Sequence, residues 1–252
     1  MGKVVAVANQ KGGVGKTTTA INLGSSMAAA ERETLVVDLD PQANLTSGLG
    51  LVSSEPKGTT YKALIGDRPL SELIVGTALG RLKAIPSEPD LTGAEIELVH
   101  EPRREFRLKE VLQPVVPCFD YIFIDCPPSL GLLTLNALVA ANSVLIPLQC
   151  EFFALEGLRE LISTVRRVQG SLNTALKIEG ILLTMYDERT NLSAQVVEDV
   201  RGHFRDAVFQ SVVPRNVRLA EAPSFGKPIL LYDIRCKGAE AYLALAREIL
   251  ER

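Results

Sequence analysis

The sequence has 252 residues, of which 46% are apolar and 23% charged, a composition that argues against a disordered or fibrous chain. Its formal net charge of −3 argues against a generally basic nucleic-acid binder, so any DNA contact has to come from a local cluster. The four cysteines form no CxxC pair and no apolar run approaches the ~20 residues of a membrane helix. We therefore expect a soluble, cytoplasmic protein without disulfides.

Short β-branched runs alternate along the chain with segments whose apolar residues recur at helical spacing. The predicted strands are residues 4–8, 35–37, 82–85, 121–124, 144–146, 181–183 and 212–213, and the predicted helices are residues 17–30, 130–141, 155–168, 192–204 and 238–252. This alternation predicts an α/β fold with a doubly wound, mostly parallel sheet and helices on both faces. The proline-interrupted region 53–110, which includes Pro56, should add a peripheral strand and short helices, so that residues 1–252 form a single domain.

A glycine-rich turn follows the first predicted strand. It reads Gln10-Lys11-Gly12-Gly13-Val14-Gly15-Lys16-Thr17-Thr18, which keeps the end of the P-loop pattern but has Gln10 in place of its first glycine. Glycines let backbone N–H groups approach phosphates, and a helix starting near Lys16 directs its positive end at the same anion. The loop therefore predicts an ATP site, with Lys16 on the β- and γ-phosphates, the Thr17 hydroxyl on Mg²⁺ and Thr18 near the α-phosphate.

Two predicted strands end in carboxylates. Asp38 and Asp40 follow the strand at 35–37, and Asp125 follows four apolar residues in a Walker B pattern. Asp125 is predicted to hold Mg²⁺ through a water molecule, because Mg²⁺ keeps much of its hydration shell. For Asp38 two interpretations stay open, a support behind the metal or a helix N-cap.

The residues Lys11-Gly12-Gly13-Val14-Gly15-Lys16-Thr17 match the deviant Walker A motif K-G-G-x-x-K-[ST], so the chain resembles the ParA/MinD group of ATPases. The resemblance implies an ATP-bound homodimer in which Lys11 reaches the phosphates of the other subunit, much as an arginine finger does. It also implies that Asp40 orients the attacking water. Because Lys16 is the one cation that the motif supplies in cis, hydrolysis is expected to be slow until the dimer forms or a partner acts.

Four further segments look like chromosomal ParA proteins of the Soj type. They are DPQANLTSGLG (40–50), DCPPSL (125–130), QCEFFALEG (149–157) and PRNVRLAEAPS (214–224). Ala43 is a departure, since many relatives carry glycine at that position. By this resemblance the adenine lies against Met185 and the loop formed by Pro214, Arg215 and Asn216.

The Soj-type resemblance also implies non-specific binding of double-stranded DNA. Arg189 and Arg218 correspond to the contacting arginines, and Lys227 and Arg235 are further candidates. The phosphate loop begins at residue 10, so no N-terminal helix-turn-helix segment fits in this sequence, and we expect salt-sensitive phosphate contacts rather than base recognition. The resemblance further implies a ParB-type partner that stimulates hydrolysis, and a nucleoid-associated location.

Three other functions are compatible with a phosphate loop of this kind. A membrane-associated, MinD-like positioning ATPase needs a basic amphipathic C-terminal helix, whereas residues 239–252 carry two arginines against three glutamates, so no membrane contact is expected. An iron–sulfur reductase with the same loop needs paired cysteines, which the spacing does not supply. An enzyme that uses ATP to activate a small carboxylate stays open, although the sequence offers no convincing second substrate pocket.

Overall fold

The computed structural model describes residues 2–51 and 58–252, so Ser53 and Pro56 of the predicted irregular region lie outside the described residues. The strands of the described chain are β1 Lys3–Val7, β2 Thr34–Asp38, β3 Val75–Gly76, β4 Leu82–Ile85, β5 Tyr121–Asp125, β6 Ser143–Gln149, β7 Lys177–Tyr186 and β8 Val208–Pro214. They form one sheet in the order β3-β4-β2-β5-β1-β6-β7-β8. Every neighbouring pair is parallel except β3 with β4.

Helices cover both faces of this sheet. They are α1 Lys16–Ala29, α2 Asn44–Gly48, α3 Thr60–Leu64, α4 Leu91–Glu97, α5 Arg107–Leu112, α6 Leu132–Ala140, α7 Ala154–Ser171, α8 Asn191–Phe204, α9 Val217–Glu221, α10 Ile229–Tyr232 and α11 Lys237–Glu251. One core layer includes α5, α6 and α7, and the opposite layer includes α1 and α11. The predicted doubly wound α/β fold is therefore confirmed.

The central strands are apolar at consecutive positions because both of their faces are buried. In β1, Val4 and Ala6 belong to one core layer, while Val5 and Val7 belong to the other. This explains why short β-branched runs, rather than alternating polar and apolar residues, were the sequence signal for these strands.

The structure extends predicted strands, β6, β7 and β8 most of all, and adds elements that the sequence did not predict. The strands predicted at 181–183 and 212–213 lie within β7 and β8, which are 10 and 7 residues long. The added residues include the polar Lys177 in β7 and the buried apolar Val208 in β8, and both belong to the sheet because they pair with a neighbouring strand. The two-residue β3 and the helices α2, α9 and α10, of 4 or 5 residues, are too short to show periodicity.

The sheet reverses its winding direction at β1, which pairs with β5 on one side and β6 on the other. Ligands of open parallel sheets bind at the carboxyl edge near such a switch point. The residues that follow β1, β2, β5, β7 and β8 all lie at this edge, so distant parts of the chain meet there. No helix within residues 2–51 and 58–252 is both long and apolar enough to span a bilayer.

Candidate nucleotide site

The phosphate loop connects β1 to α1 through left-handed glycines. Gly13 has φ 74° and Gly15 has φ 89°, a region that side chains with a Cβ rarely adopt. Gly15 is the N-cap residue of α1, and no side chain caps this helix end. The first-turn N–H groups therefore remain available to an anion, where the helix dipole also favours negative charge.

Lys16 lies almost fully buried at the start of α1. Its Nζ donates a hydrogen bond to the Lys11 carbonyl oxygen at 3.1 Å. Burial lowers the pKa of Lys16, and the nearby carboxylates of Asp125 and Asp40 oppose this fall. An ammonium group has three donors. The hydrogen bond to Lys11 uses one of them, which leaves capacity for a phosphate oxygen.

Asp125 is a fully buried carboxylate at the end of β5. Neither of its oxygens has a hydrogen-bond partner of normal geometry in the described part of the chain. Burial raises its pKa well above the usual value, Asp38 adds to the rise, and the nearby Thr17 hydroxyl opposes it. A buried carboxylate without partners is costly unless a cation binds it.

These residues fit a magnesium ion that accompanies a nucleotide. The described residues contain no group of three or more His, Cys, Asp or Glu side chains that could hold a metal ion. Mg²⁺ commonly uses one or two carboxylates together with water and substrate phosphates. Asp125 and the Thr17 hydroxyl supply that kind of incomplete protein ligand set.

Asp38 has its carboxylate occupied by the chain itself. Oδ2 accepts hydrogen bonds from the Thr46 amide at 2.8 Å and the Thr46 hydroxyl at 2.7 Å, and Oδ1 accepts from the Asp40 amide at 3.2 Å. Burial raises its pKa to about 6. The N-cap residue of α2 is Ala43, so Asp38 is not an N-cap, yet it accepts an N–H of the first turn of α2. Its role behind the metal stays a prediction.

A cavity of about 590 Å³ brings most of the predicted phosphate residues together. Among its lining residues are Gly12, Gly13, Gly15, Lys16, Thr17, Thr18, Asp40 and Met185. Asp40 is 7% exposed, and its Oδ1 accepts the Gln42 amide at 2.9 Å. Val14 does not line the cavity; it is buried, and its carbonyl oxygen accepts the Thr184 hydroxyl at 2.9 Å. Any contact of Val14 with phosphate would therefore come from its backbone N–H.

A second cavity of about 220 Å³ adjoins the first, and the two share Gly15, Thr18 and Met185. It is lined by the four predicted base-contacting residues, Met185, Pro214, Arg215 and Asn216, together with Leu219 and Tyr242. The structure thus places the predicted base residues around one space next to the phosphate loop.

Three features of this second cavity had no clear sequence signal. Met185 has φ 52°, a left-handed conformation that is uncommon for a residue with a side chain. Tyr242, on the buried face of α11, shares a hydrogen bond with Thr19 of α1 at 3.2 Å. Leu219 belongs to α9, whose N-cap Asn216 accepts the Arg218 amide. The sequence indicated no role in the site for Tyr242 or Leu219, which are apolar or aromatic residues buried on helices.

Lys11 lies outside the larger cavity. Its side chain is 43% exposed and forms an ion pair with Glu151, which follows β6. The next two residues, Phe152 and Phe153, are exposed aromatic side chains in edge-to-face contact. Next to the phosphate loop the surface therefore carries an ion-paired lysine outside the larger cavity and two exposed aromatic side chains close to its partner Glu151 in sequence.

The two predicted DNA-contacting arginines are exposed, and both are ion-paired. Arg189 donates two hydrogen bonds to Asp187, at 2.8 and 2.7 Å. Arg218 pairs with Glu221 at 3.0 Å and with Asp233 at 3.6 Å. Both arginines lie beyond the carboxyl edge of β7 or β8, near the second cavity, but neither lines it.

Comparisons with known proteins show which family this chain resembles over its length. A family model described as an AAA domain matches residues 2–178. The chromosome partitioning protein ParA of Myxococcus xanthus is 61% identical over 252 residues, covering 100% of this chain and 89% of that protein. The chromosome-partitioning ATPase Soj of Treponema pallidum is 55% identical over 252 residues, covering 100% of this chain and 98% of that protein.

A solved structure is similar over the same length. It is named as cobyrinic acid a,c-diamide synthase from Mycobacterium smegmatis with bound ADP and magnesium, and it is 39% identical with a TM-score of 0.88. The match covers 100% of this chain and 95% of that chain. Since full-length relatives and the two-lysine phosphate loop point to one group, this chain belongs to the ParA/Soj family of chromosome-partitioning ATPases.

Proposed function

We propose that this protein is a ParA-type partitioning ATPase that uses ATP and Mg²⁺. ATP binding drives formation of a homodimer, and the dimer binds double-stranded DNA without sequence preference. Slow hydrolysis, stimulated by a ParB-type DNA-bound partner, returns the protein to the monomer and releases DNA. In the cell this cycle would make the protein cytoplasmic and nucleoid-associated.

The observation that carries the proposal is the different placement of the two loop lysines. Lys16 lines the phosphate cavity, whereas Lys11 lies on its rim with its ammonium group on Glu151. A lysine whose ammonium group lies outside its own phosphate cavity can serve the phosphates of a second subunit placed against the same rim. Dimerisation would then exchange one anionic partner of Lys11, the Glu151 carboxylate, for another, a phosphate of the facing nucleotide.

The residues of one subunit supply positioning more than acid–base chemistry. Lys16 and the loop N–H groups would bind the phosphates, and Thr17 and Asp125 would hold the Mg²⁺ that neutralises phosphate charge. Asp40, fixed by the Gln42 amide, would orient a water molecule at the open side of the cavity. A subunit that lacks a second cation at the phosphates should hydrolyse ATP slowly, which suits a timed cycle.

DNA binding in this proposal depends on few charges per subunit. Arg189 and Arg218 lie on the exposed surface beyond β7 and β8, and each is partly neutralised by neighbouring carboxylates. A monomer with so few contacts binds weakly, while a rigid dimer presents two copies and gains effective concentration. In this scheme ATP-dependent DNA affinity requires the dimer.

Size-exclusion chromatography with a duplex of arbitrary sequence tests the proposal. With ATP and Mg²⁺ the wild-type protein should elute as a DNA-bound dimer, and with ADP as a free monomer. Asp40→Ala should accumulate in the DNA-bound dimer, since it binds ATP without turnover, whereas Lys16→Ala and Lys11→Ala should stay monomeric. An Asp40→Ala protein that remains monomeric with ATP at high concentration would contradict the proposal.

The membrane-associated alternative is disfavoured by the packing of α11. The apolar face of this helix, including Tyr242, Leu245 and Ile249, is buried in the core layer that also contains α1. A buried face is not available to insert into a membrane surface. Pelleting with anionic liposomes, with ATP and with ADP, distinguishes the two functions.

The carboxylate-activating alternative has the name of one solved structure in its favour. That structure is 39% identical to this chain. Two partitioning proteins are 61% and 55% identical to this chain over the full length of this chain. The higher identities favour partitioning. Phosphate release that rises with an added small carboxylate, rather than with DNA and a ParB-type protein, would favour the alternative.

A further inference from the structure

Two left-handed glycines from distant parts of the chain touch through their backbones. Gly50 has φ 71° and Gly226 has φ 63°. A Cβ placed on Gly226 would lie 2.7 Å from the Gly50 Cα, and one placed on Gly50 would lie 3.1 Å from the Gly226 carbonyl oxygen. Both the conformation and the close approach therefore require glycine at these positions.

On one side, this contact is joined to the acidic end of the nucleotide site. Gly50 comes shortly after α2, and Asp38 holds the start of that helix through both hydrogen bonds of Thr46. Asp40, which lines the phosphate cavity, lies on the loop that leads into α2. A shift of this loop on nucleotide binding would therefore reach the end of α2, a helix of five residues whose Thr46 is hydrogen-bonded to Asp38.

On the other side, the contact is joined to the surface that carries Arg218. Gly226 ends a 3-10 turn, Ala222–Phe225, which directly follows α9. The Gly226 amide donates to the Pro223 carbonyl at 2.9 Å, and a Cβ on Gly48 would lie 3.6 Å from the Pro223 Cβ. The turn is thus fastened to α2 at two points, next to Gly48 and next to Gly50.

We propose that Gly50 and Gly226 are positioning residues that couple the nucleotide site to the Arg218 surface within one subunit. Their contact makes α2 and the 222–226 turn move as one body, so that the phosphates bound near Asp40 determine where α9 presents Arg218. The link to DNA rests on the proposed function; the mechanical link between α2 and α9 does not. Packed backbones transmit small shifts because they cannot interpenetrate.

Amide hydrogen exchange tests the mechanical link without DNA. A non-hydrolysable ATP analogue with Mg²⁺ should slow exchange of amides in residues 217–226 of the wild-type protein relative to ADP. Leu219, Ala220, Ala222 and Ser224 line the two cavities and can respond to nucleotide directly. In Gly226→Ala and Gly50→Ala the difference should therefore disappear at Val217, Arg218 and Glu221, which line neither cavity, while exchange in the phosphate loop still responds to the nucleotide. The matched control is Gly66→Ala, which also places alanine at a left-handed glycine (φ 83°) but faces only the Arg107 side chain.

DNA titrations give the second readout. Wild-type DNA affinity should be on the order of 10-fold or more higher with the ATP analogue than with ADP, and the ratio should fall to within about 2-fold in Gly226→Ala. Because binding linkage is reciprocal, DNA should also cease to change nucleotide affinity in that variant. The Gly66→Ala control should keep the wild-type ratio.

Each outcome decides the proposal. The proposal is wrong if Gly50→Ala and Gly226→Ala both keep the wild-type difference in exchange between the ATP analogue and ADP. It is also wrong if residues 217–226 of the wild-type protein do not respond to nucleotide. If Gly50→Ala and Gly226→Ala both fail to fold while Gly66→Ala folds, the contact is only structural and the proposal is wrong. If the exchange response follows the proposal but wild-type DNA affinity is the same with both nucleotides, the mechanical link through Gly50 and Gly226 is supported and the proposed partitioning function is wrong.

Discussion

The phosphate side and the base side of the site are built in opposite ways. The phosphate side, residues 8–18 with Asp38, Asp40 and Asp125, consists of a contiguous loop and buried carboxylates next to the central strands. The base side, residues 185–189 and 214–227, consists of the ends of the outer strands β7 and β8 and the partly exposed segments that follow them, including α9. It carries ion-paired arginines and a left-handed Met185.

This difference separates the residues that act on the phosphates from the residues that adjust the affinity for nucleotide or DNA. Buried charges at the phosphate side are costly without their ligand, so each residue is fixed by function and tolerates little change. Most side chains on the base side are at least partly exposed, so water can replace the contacts that a substitution removes. Single changes there should therefore alter nucleotide affinity or DNA binding by modest factors. The following predictions test this contrast, from the largest expected effect to the smallest.

The strongest test of the phosphate side is Lys16→Ala. Removing the buried ammonium group should lower ATP turnover by roughly 10²–10³-fold, the range seen when one preorganised charge-stabilising donor is deleted. Steady-state phosphate release measures this effect. Lys62→Ala, which removes an exposed lysine paired with Asp67, is the control and should leave turnover unchanged. A Lys16→Ala protein with turnover within tenfold of wild type would contradict the expectation that changes on the phosphate side have larger effects than changes on the base side.

The buried Asp38 should make the nucleotide-free protein less stable as pH rises. Burial raises its pKa from 3.8 to about 6, so the folded state binds the proton more tightly than the unfolded chain. This contribution is fully present below the unfolded pKa and is lost as pH rises through about 6, by up to roughly 3 kcal/mol.

Urea unfolding of wild type and Asp38→Asn at about pH 4 and about pH 7 measures this contribution. From about pH 4 to about pH 7 the free energy of unfolding of Asp38→Asn should increase relative to that of wild type, because the variant has no carboxylate charge to bury. Asp67→Asn, at an exposed position, controls for general acid effects and should show no such change. A pH-independent difference between wild type and Asp38→Asn would contradict the buried-charge interpretation.

At the base side, Met185→Ala and Met185→Gly should each weaken ATP binding by about tenfold, a loss of about 1.4 kcal/mol. Both remove the side chain that lines the two cavities, but only glycine relieves the left-handed backbone. Met185→Gly should therefore have the higher melting temperature of the two. Calorimetric titration and thermal unfolding check these outcomes, and the opposite order of melting temperatures would argue against strain at this residue.

Arg189→Ala and Arg218→Ala should weaken DNA binding several-fold each while leaving ATP affinity intact. Each should also reduce the slope of log affinity against log salt by about 1, because one phosphate contact is lost. Arg103→Ala is the matched control, since Arg103 is an exposed arginine paired with Glu110. A salt slope equal to that of wild type in either variant would remove that arginine from the DNA surface.

The smallest effect is expected for Ala43→Gly, at the start of α2. Ala43 has φ 52°, a left-handed conformation in which glycine is less strained than alanine. Glycine should stabilise the protein by at most about 1 kcal/mol, since it removes the strain but adds unfolded-chain entropy. Thermal unfolding measures the change. Ala30→Gly, at φ −84°, should not stabilise; equal effects of both would contradict the strain at Ala43.

How much of the site was predictable depended on how local it is in sequence. The loop from Lys11 to Thr17 is contiguous, and its glycines and lysines have meanings that do not depend on the rest of the fold. Strand-end carboxylates such as Asp125 were predictable because parallel strands bring their carboxyl ends to one edge. The resemblance to Soj-type proteins added Met185 and the loop at Pro214, which the periodicity of the sequence did not identify.

The amino-acid sequence by itself determined the strand–helix alternation, the phosphate loop and the acids that follow β2 and β5, because each is encoded by neighbouring residues. Only the tertiary structure decided that Asp38 is held by Thr46, that Lys11 pairs with Glu151, and that Tyr242 lines the second cavity. These are contacts between residues far apart in the chain or in short helices without periodicity. Their geometry comes from close packing of the whole sheet and its helices, which no local pattern contains.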